Sequence, residues 1–133
     1  MRPIILLVAL AFYPCLAAAE DFSFTFQWGD IPLCKTGSPN TVPNPIFELN
    51  NVPEGTQSIR FVMVDKDAPG YHHGGGVVEY NGQMKIAPGV FEYQSPCPPG
   101  GRHNYRWTAQ AKAKLKGKGK TLGKARAEKR YPE

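Results

Sequence analysis

Aromatic and polar residues alternate without a break in DFSFTFQW, with Phe22, Phe24, Phe26 and Trp28 on one side and Ser23, Thr25 and Gln27 on the other. Successive side chains of an extended chain point to opposite faces, so this stretch predicts a strand with one face in a core. IFELN (46–50) predicts a short second strand, and NVPEGTQ after it a turn, in which Pro53 fixes φ and Gly55 is free to take φ > 0. SIRFVMVD (58–65) is apolar on both sides apart from Arg60, which predicts a central strand buried on both faces. VVEY (77–80) and VFEY (90–93) predict two short strands with NGQMKIAPG between them. HNYRWTAQA (103–111) predicts one more, with His103, Tyr105, Trp107 and Ala109 on one side.

Between these runs lie stretches rich in proline and glycine: 29–45 (GDIPLCKTGSPNTVPNP), 66–76 (KDAPGYHHGGG) and 95–101 (SPCPPGG). They read as long ordered loops. No convincing amphipathic helix precedes residue 110, and 13 prolines with 14 glycines in 133 residues favour short strands and turns. The fold class is therefore all-β. In the remainder, Ala111, Ala113 and Leu115 alternate with Lys112, Lys114 and Lys116, so the last strand can run on with a cationic outer face. Gly117, Gly119 and Gly123 then argue against regular structure, and 112–133 reads as a basic, low-complexity tail, solvated and partly disordered.

At the other end, Arg2, the apolar run from Ile4 to Phe12 and the small-residue site Ala17-Ala18-Ala19 read as a signal peptide over 1–19, cleaved before Glu20. The run is shorter than the roughly 20 apolar residues of a membrane-spanning helix. The organisation is then 1–19 leader, 20–111 β domain and 112–133 tail, in a secreted or periplasmic protein. Removing Cys15 with the leader leaves Cys34 and Cys97, and two cysteines in an exported chain predict one disulfide. Two free thiols are the alternative, and the pair has no zinc spacing.

The net charge of +5 hides a split. Residues 20–101 hold four basic side chains against nine acidic ones, whereas 102–133 hold eleven basic and two acidic. An acidic body thus carries a basic arm. The arm can bind an anionic lipid or lipopolysaccharide. Nucleic acid is disfavoured, because Tyr131 is the arm's lone aromatic for stacking.

Three segments gather polar groups beside proline or glycine at strand ends: Asp65-Lys66-Asp67-Ala68-Pro69, His72-His73-Gly74-Gly75-Gly76, and Pro96 through Tyr105. Convergent imidazole N–H, phenol O–H and bare glycine amides are the donors a small anion needs. The aspartates can instead cap turns through Asx hydrogen bonds, and Tyr105 can be a core tyrosine.

FELNNVPEGTQSIRFVMVDKDAPGYHHGGGVV together with SPCPPGGRHNYRW resembles the phosphatidylethanolamine-binding protein family, which includes Raf kinase inhibitor proteins and short bacterial members. The matching elements are the VPEGT turn, D-x-D-A-P after a buried strand, a histidine before Val-Val, and a proline-glycine loop leading into H-x-Y; together they cover roughly 28–109. The resemblance implies antiparallel β-sheets with long ordered loops, little helix, and a pocket for phosphate or a phospholipid head group. Carried over by motif, its lining is Asp65, His73, His103 and Tyr105, to which Pro69 and the amides of Gly100 and Gly101 are added. His73 is preferred to His72 because neighbours on an extended segment face opposite ways. Asp65 is expected to orient His73 or His103 and raise its pKa.

The reading is a non-enzymatic binding protein for a small anion of the phosphate or phosphoethanolamine type, with no cofactor and no metal, able to modulate a protein partner. The alternatives are a polyanion-binding tail and a metal or acid–base hydrolase built on the His/Asp cluster. No nucleophile elbow, HExxH or other catalytic spacing supports the last.

Overall fold

The structure, a computed structural model, describes residues 13–15 and 20–133, so the expected leader lies, apart from 13–15, outside the described residues. Nine strands follow in order: β1 (Ser23–Gln27), β2 (Thr41–Pro43), β3 (Ile46–Asn50), β4 (Ser58–Asp65), β5 (His72–Glu79), β6 (Lys85–Ile86), β7 (Glu92–Gln94), β8 (His103–Lys112) and β9 (Thr121–Tyr131). No helix occurs among the described residues. An antiparallel sheet of order β5-β4-β8-β9 faces a smaller sheet of order β1-β3-β6, and β2 pairs with β7 beside them.

The alternation in β1 works as predicted: Phe24, Phe26 and Trp28 are buried while Ser23, Thr25 and Gln27 are exposed. They meet an aromatic layer drawn from three other strands. Phe47 of β3 stacks on Phe61 of β4 at 4.2 Å between ring centroids and meets Trp107 of β8 edge-on at 5.4 Å. Phe24 approaches Phe61 edge-on at 5.8 Å. Each such pair adds about 0.5–1.5 kcal/mol to the burial of its rings, so this layer is what joins the two sheets.

Strand β4 is central, between β5 and β8, but it is buried on one face only. Ile59, Phe61 and Met63 enter the core, while Arg60 and Val62 are exposed. Valine suits a pleated strand whether or not a second layer covers it, and Val62 and Val64 on the outer face overstated the burial. Residues 29–45 are a loop as expected except for β2. Strand β5 starts at His72 rather than at Val77, because a bulge opposite Val62–Val64 absorbs one residue at Gly74, whose φ is 81°. The glycines beside it are required for contact: a Cβ on Gly75 would strike the backbone of Phe61, and one on Gly76 would enter the ring of Phe91.

The basic tail is the main correction. Residues 121–131 form β9, which pairs with β8 along its whole length, from His103↔Tyr131 to Lys112↔Thr121. Its glycines do not break the structure. Gly117 and Gly119 take positive φ in the β8–β9 connection, and Gly123 sits in the strand, where a Cβ would press to 2.7 Å from the Pro53 ring. Ala125 and Tyr131 are buried, and Lys124, Arg126, Glu128 and Arg130 alternate outward.

Two devices hold the loops. Cys34 and Cys97 form a disulfide, Cα atoms 4.8 Å apart, across 63 residues of sequence. Replacing both by serine is expected to lower stability by about 2–5 kcal/mol in chemical denaturation. Asn44, 1% exposed, satisfies its whole side-chain amide: Nδ2 donates to the Pro45 and Ala87 carbonyls, and Oδ1 accepts from the amides of Val90 and Phe91. Asn44→Ala orphans those amides and is expected to cost about 3 kcal/mol in the same assay.

Candidate functional site

Antiparallel pairing of β4 with β8 sets Asp65, the last residue of one, opposite Tyr105 near the start of the other. His103 stands two residues before Tyr105, on the same face, and its Nδ1 lies 2.7 Å from Asp65 Oδ2. The other oxygen, Oδ1, accepts the amides of Asp67 at 2.9 Å and Ala68 at 3.1 Å. Asp65 is therefore a turn cap and the partner of His103 at once. Asp67 does not cap the turn as expected: its Oδ2 accepts the amide of Asn104 in β8, 37 residues away.

On β5, which flanks β4 on the side away from β8, His73 points inward and is 3% exposed, whereas His72 points out to solvent, as the parity of neighbours required. Its Nδ1 donates to the Gln94 carbonyl at 2.8 Å, which leaves Nε2 as the acceptor of the neutral ring. The ring meets Tyr105 edge-on at 5.5 Å and lies 4.6 Å from Tyr71. Burial lowers the pKa of His73, and the Gln94 carbonyl, Asp65 and the Ser95 backbone offset this only in part. The expectation that Asp65 raises a histidine's pKa therefore fails at His73, where desolvation wins.

Tyr105 is fully buried, and its hydroxyl meets no partner at hydrogen-bonding geometry, although the Asp65 carboxylate and the Cys97 backbone lie close by. Burial and the charge of Asp65 push the phenol's pKa well above its ordinary range, so the hydroxyl remains a donor. Core packing against Trp28, edge-on at 5.8 Å, fixes the ring.

These four side chains line one cavity of about 260 Å³. Loop 29–45 supplies Gly37 and Pro39 to its wall, and loop 95–101 supplies Cys97 and Pro99. Three expected residues do not line it: Pro69, Gly100 and Gly101 are exposed. Gly101, with φ 67° and open space where a Cβ would stand, makes the turn into β8 instead. Sequence reasoning missed Ala68 and Tyr71 in the lining. Tyr71 carried a signal, standing two residues before His73 and so on the same side of the extended chain.

A larger open depression of about 1000 Å³ lies elsewhere, beside Glu54, Lys124 and Arg126, and contains no histidine or tyrosine. As for a metal, Asp65, Asp67 and His103 bring three ligand atoms within 4.8 Å of one another. Both oxygens of Asp65 and one of Asp67 are already engaged by amides or by His103, so the group fits a hydrogen-bonded brace better than a cation site.

Because the folded pKa of His73 is below the unfolded value of 6.5, the unfolded chain binds the extra proton first. The contribution of His73 to stability is complete above pH 6.5 and is lost as pH falls through the folded value. NMR titration is expected to place the imidazole midpoint below 6.5, and His73→Gln is expected to flatten this part of the stability–pH curve.

No family model and no curated protein matches the sequence. Among solved structures, the chain is similar to a phosphatidylethanolamine-binding protein homolog from Chlamydia trachomatis, with a TM-score of 0.60 and 14% identity, over 85% of this chain and 98% of that one. At that identity the likeness concerns architecture, and the chain has a phosphatidylethanolamine-binding-protein-like all-β fold.

Proposed function

We propose that the cavity between Asp65, His73, His103 and Tyr105 binds a small anion carrying a phosphate, and that the protein is a binding module rather than an enzyme. The observation that carries this reading is the buried Tyr105 hydroxyl, a protonated donor with no partner at hydrogen-bonding geometry, on the wall of a cavity that also holds His103. An unsatisfied buried donor costs about 1–3 kcal/mol, and a bound acceptor recovers it. His103, held through Nδ1 by Asp65, has Nε2 left for a ligand, and as imidazolium it donates there. A volume of about 260 Å³ suits an inorganic anion or a head group rather than a drug-sized molecule, whose pockets run from about 300 to 1,000 Å³.

The non-enzymatic reading rests on how the titratable groups are used. Asp65 is occupied by two amides and His103, and no serine, threonine or free cysteine among the lining residues stands beside the imidazoles as a nucleophile. The disulfide fits an oxidising compartment and with it the secreted or periplasmic assignment.

Titration with phosphate and with phosphoethanolamine, followed by NMR, is expected to move the His103 and Tyr105 ring signals. Tyr105→Phe is expected to weaken binding about 5- to 10-fold, as for loss of one hydrogen bond. Silent His103 and Tyr105 signals, or turnover of a phosphoester abolished by His103→Ala, would overturn the reading.

A further inference from the structure

Strand β8 has two faces with different chemistry. Its odd-numbered residues enter the core and the cavity; its even-numbered ones, Asn104 to Lys112, point out from the four-stranded sheet. The registers set Gln110 beside Arg60 of β4 and Lys124 of β9, Thr108 beside Arg126, and Asn104 beside Arg130. With Arg106 and Lys112 of β8 itself, six basic side chains lie on this one face. Two acids share it. Glu128 is taken by Lys66 at 3.0 Å, and Glu79, at the rim, accepts the Lys116 amide.

None of the six forms an ion pair among the described residues, and residues 1–19 contain no Asp or Glu to supply one. Arg106 keeps a buried Nε with no hydrogen-bond partner although Glu128 stands directly opposite. Nor is the face covered: Val62, at its centre, is 41% exposed, because the smaller sheet packs on the other side. The β8–β9 connection extends the charge with exposed Lys114, Lys116, Lys118 and Lys120.

The layout of these charges selects the partner. Same-face residues lie about 6.8 Å apart along a strand, and strands about 4.8 Å apart, so charges spread over three strands make a two-dimensional array rather than a line. Val62, Val64, Gly75 and Thr108 keep the centre low while the long basic stems reach past it. No aromatic side chain projects from β4, β8 or β9 on this face, which removes the stacking contacts of a nucleic-acid groove. We propose that the outer face of β5-β4-β8-β9 docks on an anionic lipid surface. Glu48 of β3 and Glu92 of β7, carried by the other sheets, are repelled by the same surface, which favours one orientation.

The chain from Glu20 carries every core residue found among the described residues and is the form to test. It is expected to co-sediment with vesicles containing phosphatidylglycerol, not with pure phosphatidylcholine, and to be released by salt. Lys124→Gln with Arg126→Gln is expected to weaken binding roughly 10- to 30-fold at unchanged circular dichroism. Arg60→Gln with Lys112→Gln, which leaves β9 untouched, is expected to do the same. Lys35→Gln with Lys85→Gln removes equal charge from elsewhere and is expected to change little, and vesicle binding is expected to persist when phosphoethanolamine is added to occupy the cavity, which separates this face from the cavity. Equal losses from the face and control pairs, binding that survives high salt, or binding to dextran sulfate or duplex DNA without vesicle binding would overturn the proposal.

Discussion

A carboxylate that is 4% exposed governs the functional end of this fold. Leaving such a charge without partners costs several kcal/mol, so Asp65 can exist where it does only if its oxygens are engaged. They are: Oδ1 closes the turn after β4 through two amides, and Oδ2 holds His103 at the start of β8. One side chain thus ties the end of a strand, the turn that follows and the first residue of its neighbour. The orientation of His103 and the place of Tyr105 beside the cavity follow from those ties.

The walls of that cavity have a different origin. Loops 29–45 and 95–101 are made largely of proline, glycine and small polar residues, and of these Pro45, Pro96 and Pro98 are fully buried. Covalent and backbone bonds add to that packing. The Cys34–Cys97 disulfide joins the loops, the Ser95 amide donates to the Asn40 carbonyl at 2.8 Å, and the Asn40 amide donates to the Ser95 hydroxyl at 3.0 Å. Prolines restrict the unfolded loop as well as the folded one, so the chain loses less entropy when the wall forms.

What the sequence revealed depended on whether a residue's face could be read by alternation. Phe22 to Trp28 and His103 to Ala109 alternate cleanly, and both strands formed as expected. The same parity chose His73 over His72, and applied once more would have found Tyr71. It failed where the local signal was masked. The bulge at Gly74 breaks the period in β5, and lysine and glycine composition hid the pattern of Gly123, Ala125 and Ala127 against Lys124, Arg126 and Glu128 in β9. Pro69, Gly100 and Gly101 were chosen for their chemical type, and type does not say which way a backbone amide points. Asn44 was illegible for a related reason: its four partners come from a turn more than 40 residues away and from its own neighbour, and no local spacing announces them.

Because β8 alternates strictly, one strand carries both a cavity wall and part of a cationic surface, and the question is whether the two communicate. Sheet faces stand about 10 Å from the next layer, a distance similar to the Debye length at about 0.1 M salt. Salt screens the exposed stems of Arg106 and its neighbours from the solvent side, and the Asp65 carboxylate opposes their field at the cavity. Geometric coupling is also weak, since the core aromatics that fix Tyr105 and Trp107 do not touch the outward stems. Alternation along β8 therefore insulates the two surfaces while keeping them in a fixed mutual orientation: any surface that engages the even-numbered face leaves the loops walling the cavity free to exchange ligand.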